Sequence, residues 1–166
     1  LLAWGAVRYV RGEAFDWRYL LFLQNYESEL PYFFVSWSLC VEEHFYLIVP
    51  LLMGMTRIFK PIRPLLLAIG LVAPILFRWH YAPVGVTATF GFYHTATHLH
   101  FEGLTLGLAL AWLNAFRQDW WKTAGRVAPW LIAPLFALCW IGARAPREIE
   151  YIVMSSLVAL LFGALL

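Results

Sequence analysis

An apolar run that contains two carboxylates does most to limit what this chain can fold into. Glu42 and Glu43 lie among aliphatic and aromatic residues within positions 36–52. A charged side chain inside a membrane span costs about 2.5 to 3.5 kcal/mol on insertion scales, so it faces protein or water rather than lipid. The run predicts a membrane helix over about 34–55, bent at Pro50, whose glutamates have a functional or a structural role.

Helical spacing distinguishes the two glutamates. Ser38 and Glu42 are four residues apart and share one helical face, whereas Glu43 is turned about 100° away. Glu42 is therefore assigned to an active site or a substrate cavity, and Glu43 to structural pairing. The alternative is that both glutamates only pair with an Arg or a His of a neighbouring helix and so fix the bundle.

Composition places the chain among membrane proteins. Hydrophobic residues make up 62% of its 166 residues and charged residues 13%, against about 25% charged residues in soluble domains. The 9 Trp and 8 Tyr suit the aromatic belts found at membrane interfaces. A net charge of +2 offers no basic surface to nucleic acid, and the two cysteines, Cys40 and Cys139, are expected only to pack.

Apolar runs alternate with short charged connections, which predicts an all-α fold, a polytopic transmembrane helix bundle. About five spans are expected, with a stub at 1–7 and an interfacial or re-entrant segment at 17–26 that is too short to cross. A stripe of Gly103, Gly107 and Ala111, spaced by four, is expected to pack against another helix. The five spans cover 34–55, 65–79, 97–116, 127–141 and 149–166.

The basic residues predict an orientation. The connections at 57–63 and 117–126 hold three basic residues each, and by the positive-inside rule both are expected in the cytoplasm. If the spans alternate, the Ser38 end of one helix and the His98 end of another then open together on the other side. The 80–96 connection, rich in Gly, Thr and aromatic residues, is expected there as a lid or a re-entrant loop.

Two sequence motifs carry a resemblance to a known family. Residues 37–52 read W-S-L-C-V-E-E-H-F-Y-L-I-V-P-L-L, and residues 97–107 read T-H-L-H-F-E-G-L-T-L-G. Together they resemble two motifs of acyltransferase family 3, and the aromatic segment 21–26 is similar to a stretch of the family further upstream. The resemblance implies a multi-pass protein of the cell inner membrane that moves an acyl group, often acetyl from acetyl-CoA, to a hydroxyl of a carbohydrate or lipid-linked envelope glycan.

The resemblance also implies which partners the chain needs. Acyl-CoA would be a co-substrate rather than a bound cofactor, and membrane lipids would surround the bundle. In the family, an N-terminal helix supplies an arginine and a histidine that act in transfer, and these are not found here. Residues 1–166 are therefore expected to be part of one membrane-embedded acyltransferase domain, truncated at both ends and inactive without the missing N-terminal helices.

The polar residues of the two motifs are the candidates for the site. His98 and Glu102 are four residues apart, so on a helix a histidine would lie beside a carboxylate and form an acid/base pair. His100 would point to the other side of that helix unless the helix is broken there. The candidate catalytic residues are thus Glu42, His98 and Glu102, and the candidate substrate-binding residues are Trp37, Ser38 and His100.

Two further expectations concern this site. Family members often carry arginine where this chain has His100, so a role for this position in holding a phosphate is in doubt. No metal is expected, because the H-x-x-x-H-x-H pattern at 94–100 lacks a determined partner and lies at a loop-to-helix junction. The alternative function is a proton-coupled transporter or channel in which Glu42, His98 and Glu102 form a proton relay.

Overall fold

The structure, a computed structural model, describes residues 17–28, 35–55 and 62–165. Within these ranges every regular element is an α-helix or a 3-10 turn, and there is no β-strand. The predicted stub at 1–7 lies outside the described residues. The α-helices are α1 (Ser36–Met55), α2 (Arg63–Gly85), α3 (Phe92–Thr95), α4 (Phe101–Phe116), α5 (Gln118–Gly142) and α6 (Arg147–Leu165). Short 3-10 turns lie at Trp17–Tyr19, Gln24–Tyr26 and Thr97–Leu99.

Three of these helices are long enough and apolar enough to cross a membrane: α2, α5 and α6. The chain is therefore a helical membrane protein. Helix α4, with 16 residues, is a shorter apolar helix. The segment predicted not to cross, 17–26, forms two 3-10 turns.

Three predicted spans have different limits in the structure. The span predicted at 127–141 begins at Gln118, so most of the predicted connection at 117–126 is helical. The span predicted at 65–79 is longer and runs from Arg63 to Gly85, because the helix continues through His80 although this residue lowers its hydropathy. The predicted loop at 80–96 is correspondingly shorter and contains α3. The span predicted at 97–116 is broken: a 3-10 turn ends at Leu99, His100 has φ −134° and ψ 9°, and α4 begins at Phe101.

The helical bundle has two ends, which we name the junction end and the arginine end. At the junction end, Tyr151 near the start of α6 meets Gly85 at the end of α2, and Trp37 at the start of α1 packs on His100. At the arginine end, Arg63 and Arg117 border one cavity. The beginnings of α1 and of the 97–116 segment thus share one end, as the alternation of spans predicts.

Burial is concentrated near the junction end and includes many polar side chains. The buried polar residues there belong to the 3-10 turns, to α3 and to the facing parts of α1, α2 and α4. They are Gln24, Asn25, Ser36, Arg78, Thr95, Thr97 and Glu102. Buried polar groups cost free energy unless they are hydrogen-bonded, so the stability of this end depends on the hydrogen bonds that these side chains make.

Candidate functional site

The Thr97–Leu99 turn and His100 form the centre of the junction end. Ala96 before the turn is extended, at φ −60° and ψ 134°, so the chain changes direction before the turn and again at His100. Thr97 and Leu99 are buried, whereas His98 between them is partly exposed. The turn therefore places His98 on a more exposed side than its two buried neighbours.

A buried ion pair lies beside this turn. Arg78 of α2 and Glu102 of α4 are 2% and 3% exposed, and Arg78 Nη1 lies 2.6 Å from Glu102 Oε1. Arg78 also donates to the backbone oxygen of Leu99, to that of Ile152 at 2.9 Å and to Ser156 Oγ at 2.6 Å. Its guanidinium therefore joins α2, the turn, α4 and α6.

Glu102 has further hydrogen bonds on the same oxygen. Ser155 Oγ donates to Glu102 Oε1 at 2.7 Å, and Ser156 Oγ lies 3.3 Å from it. The predicted pairing of His98 with Glu102 is wrong, because the break at His100 separates them and Arg78 occupies the carboxylate. Arg78 lies inside the predicted span 65–79 but was not among the predicted site residues. Its position between the apolar Phe77 and Trp79 was the available signal, because a charged side chain within a span faces protein or water.

His98 lies in a cluster of aromatic rings. The centroids of the Tyr26, Phe77, Tyr81 and Phe92 rings are 5.9, 5.0, 6.0 and 5.7 Å from that of its imidazole. No described residue makes a hydrogen bond to either of its ring nitrogens. Burial lowers the pKa of His98, so the neutral imidazole, which can accept a proton, is favoured.

A second hydrogen-bonded group holds the turn from its other side. Asn25 Nδ2 donates to Thr97 Oγ1 at 2.7 Å and to the backbone oxygen of Thr95 at 3.0 Å. The same Thr97 oxygen lies 2.7 Å from His44 Nδ1. Since Thr97 Oγ1 accepts from Asn25, its hydroxyl proton can be donated to His44, whose proton is then on Nε2. Asn25 and His44 were not among the predicted site residues.

Trp37 and His100, both predicted to bind substrate, contact each other. Their ring centroids are 4.7 Å apart, and His100 Nε2 lies 2.9 Å from the backbone oxygen of His94. Since a carbonyl only accepts, Nε2 donates, and in the neutral ring Nδ1 is the acceptor. Burial lowers the pKa of His100. His100 thus lies at the junction end against Trp37 and His94, and its role in binding substrate stays a prediction.

Among the described residues, Glu42 and Ser38 make no hydrogen bond to the Thr97–Leu99 turn or to His100. Glu42 and Glu43 are both exposed, and the Ser38 hydroxyl donates to the backbone oxygen of Val35 at 3.1 Å. The buried face of α1 instead carries Ser36 and Cys40, four residues apart. Within the described part of the chain Glu42 therefore lies on the exposed side of α1, and its role in a site stays a prediction.

No group of three or more His, Cys, Asp or Glu side chains within the described ranges could hold a metal ion. The imidazoles, hydroxyls and amide groups of the junction end are suited to proton transfer and hydrogen bonding. The chain matches no family model, and no curated protein or solved structure matches it.

Proposed function

We propose that this chain belongs to a membrane-bound O-acyltransferase that moves an acyl group, acetyl in the first instance, from acyl-CoA to a hydroxyl of a carbohydrate or a lipid-linked envelope glycan. One observation carries the proposal. His98 is a partly exposed imidazole at the junction end, and its ring nitrogens have no hydrogen-bond partner among the described residues. The motifs at 37–52 and 97–107 supply the reaction class.

In this proposal His98 acts as the acid/base group toward the acceptor. A neutral imidazole takes the proton of the acceptor hydroxyl as its oxygen attacks the acyl carbonyl, and then gives that proton to the leaving thiolate of CoA. The aromatic rings around His98 partly desolvate the imidazole and so favour its neutral form. The arginine and histidine that the resemblance assigns to an N-terminal helix would complete the site.

The buried ion pair is assigned a positioning role. Arg78 donates to the backbone oxygen of Leu99, next to His98 in the turn. Glu102 balances the charge of Arg78 and so allows the guanidinium to remain buried. Trp37 and His100 border the same end and are proposed to contact the acceptor.

The same geometry disfavours the proton-relay alternative. A relay through Glu102 requires that its carboxylate exchange protons with His98. Glu102 Oε1 instead accepts from Arg78 and Ser155, and a proton on Oε2 would remove the counter-charge of the buried Arg78. Acyl transfer leaves this ion pair intact, and it uses His98 alone for proton transfer within the described residues.

The test compares two histidines in the full-length protein. We expect His98→Gln to lower transfer of radiolabelled acetyl from acetyl-CoA to membrane glycans by about 10²- to 10⁴-fold, the range of general acid–base catalysis. His80→Gln is the matched control, because His80 is an exposed histidine of α2. Equal expression of both variants in the membrane is checked first. Loss of less than about tenfold for His98→Gln, or equal loss for both variants, would remove His98 from this role.

A further inference from the structure

A groove runs between α1, α2 and α4 toward the arginine end. One cavity of about 470 Å³ is bordered by Arg63 and Arg117 and otherwise by mainly apolar side chains, Trp112 and Phe116 among them. A second, of about 190 Å³, continues from it toward Phe101. Three residues border both cavities: Met53, Leu67 and Leu108. The two cavities therefore form one apolar groove that begins between two arginines.

The groove is open at its side. Ile48, Ile69 and Phe116 border it, and they are 38%, 51% and 72% exposed. Along α2 it extends from Arg63 to Gly70, about 10 Å at 1.5 Å per residue, and half of a hydrocarbon core is about 15 Å thick. An acyl chain could therefore enter sideways from one leaflet and lie along the groove.

The charges at the mouth select an anion. Two guanidinium groups can hold a phosphate by paired hydrogen bonds. The helices α2 and α5 both begin here, and neither Ile62 nor Arg117 caps its helix with a side-chain hydrogen bond, so backbone N–H groups add positive potential. Asp119, the acidic residue nearest to Arg117 in sequence, borders a different depression with Trp120 and Thr123.

We infer that this groove binds an anionic glycerophospholipid, with its phosphate between Arg63 and Arg117 and one acyl chain along Leu67 and Leu108. The positive-inside rule assigns this end of the bundle to the cytoplasmic leaflet, where anionic lipids are found. The lateral opening favours a bilayer lipid over a ligand that enters from water. The inference is independent of the acyl transfer proposed above, because the groove and the His98 cluster lie toward opposite ends.

The test measures lipid binding to the delipidated 166-residue chain in detergent by native mass spectrometry. Phosphatidylglycerol and phosphatidylcholine with the same acyl chains are added separately. We expect phosphatidylglycerol to bind more tightly, and Arg117→Gln to lower its affinity about fivefold, the effect of one basic residue near an anionic membrane surface. The double variant Arg63→Gln/Arg117→Gln should lose the preference. Arg126→Gln, a control on the exposed side of α5, should keep it.

Three results would overturn the inference. The first is equal affinity of the native chain for the two lipids. The second is an undiminished preference in the double variant while its helical circular dichroism is native. The third is displacement of phosphatidylglycerol by glycerol 3-phosphate at matched concentration, since a ligand without acyl chains would show that the groove contributes nothing. Leu108→Trp, which fills the groove and keeps both arginines, should weaken binding of phosphatidylglycerol if the chain lies there.

Discussion

The buried Arg78–Glu102 pair gives the sharpest test of how this bundle is held together. Arg78→Met removes a cation that makes four hydrogen bonds, to Glu102, Ser156 and two backbone oxygens. It leaves a carboxylate that is 3% exposed without its counter-charge. Removing one partner of a buried ion pair typically costs about 3 to 5 kcal/mol, and we expect a loss of that size in the free energy of unfolding.

The double variant Arg78→Met/Glu102→Leu should recover most of that loss. It removes both charges, and apolar replacements of buried ion pairs are often neutral or stabilising. Ser156 can then donate to the oxygen of Ile152, four residues earlier in α6, so one abandoned carbonyl regains a donor. We expect the double variant to lie within about 2 kcal/mol of the native chain, since each remaining unmade hydrogen bond costs about 1 kcal/mol.

The assay is reversible unfolding of the chain in mixed micelles by an ionic detergent, followed by far-ultraviolet circular dichroism. Glu43→Gln is the control, because it neutralises an exposed carboxylate and should change the free energy of unfolding by less than about 0.5 kcal/mol. If Arg78→Met costs no more than this control, the pair does not hold the helices. The single variant Glu102→Leu is measured as well. If the double variant loses as much stability as Arg78→Met and Glu102→Leu added together, the two charges are not coupled and the reasoning is refuted.

Two other predictions follow from close packing and from burial. Gly70→Ala would place a Cβ 2.6 Å from Thr105 Oγ1, so we expect it to cost about 1 to 3 kcal/mol in the same unfolding assay and Thr105→Ala to relieve part of that cost. The Cβ of Gly107→Ala would meet nothing within 4 Å, so this variant should raise the free energy of unfolding by about 0.5 to 1 kcal/mol. A Gly107→Ala variant less stable than Gly70→Ala would contradict the packing. In nuclear magnetic resonance titrations, His98 should show a pKa below its ordinary value of about 6.5. The stability contributed by its neutral form is then complete above pH 6.5 and lost as the pH falls through the folded pKa, and a measured pKa above 6.5 would contradict the buried setting.

The helical membrane architecture could be predicted because it depends on local properties. Long apolar runs separated by charged connections leave helices as the main way to satisfy the backbone in lipid. The limits of the helices were less predictable. Arg78 lowers the hydropathy of its segment, but its charge is balanced by Glu102, which is distant in sequence. The break at His100 depends on tertiary contacts of the same kind, because Arg78 and Asn25 hold the turn before it.

Spacing predicted which residues share a face but not which face meets a partner. The Gly103–Gly107 stripe was expected to pack closely, yet an added Cβ at Gly103 would lie 3.8 Å from Ala159 and one at Gly107 would meet nothing within 4 Å. The closer approach is at Gly85, where an added Cβ would lie 2.7 Å from the Tyr151 ring. Periodicity is a property of one helix, whereas contact requires a second helix at a particular rotation and depth.

The arrangement around His98 connects stability to the proposed chemistry. The turn that carries it is held from one side by Arg78, which donates to Leu99, and from the other by Asn25, which donates to Thr97. Both anchors bind the neighbours of His98, and no hydrogen bond from a described residue occupies its imidazole. A catalytic base needs a fixed position and a ring nitrogen that is free to accept a proton. If hydrogen bonds to its own ring held the imidazole in place, that nitrogen would no longer be free. Anchoring the turn through the residues on either side of His98 satisfies both requirements.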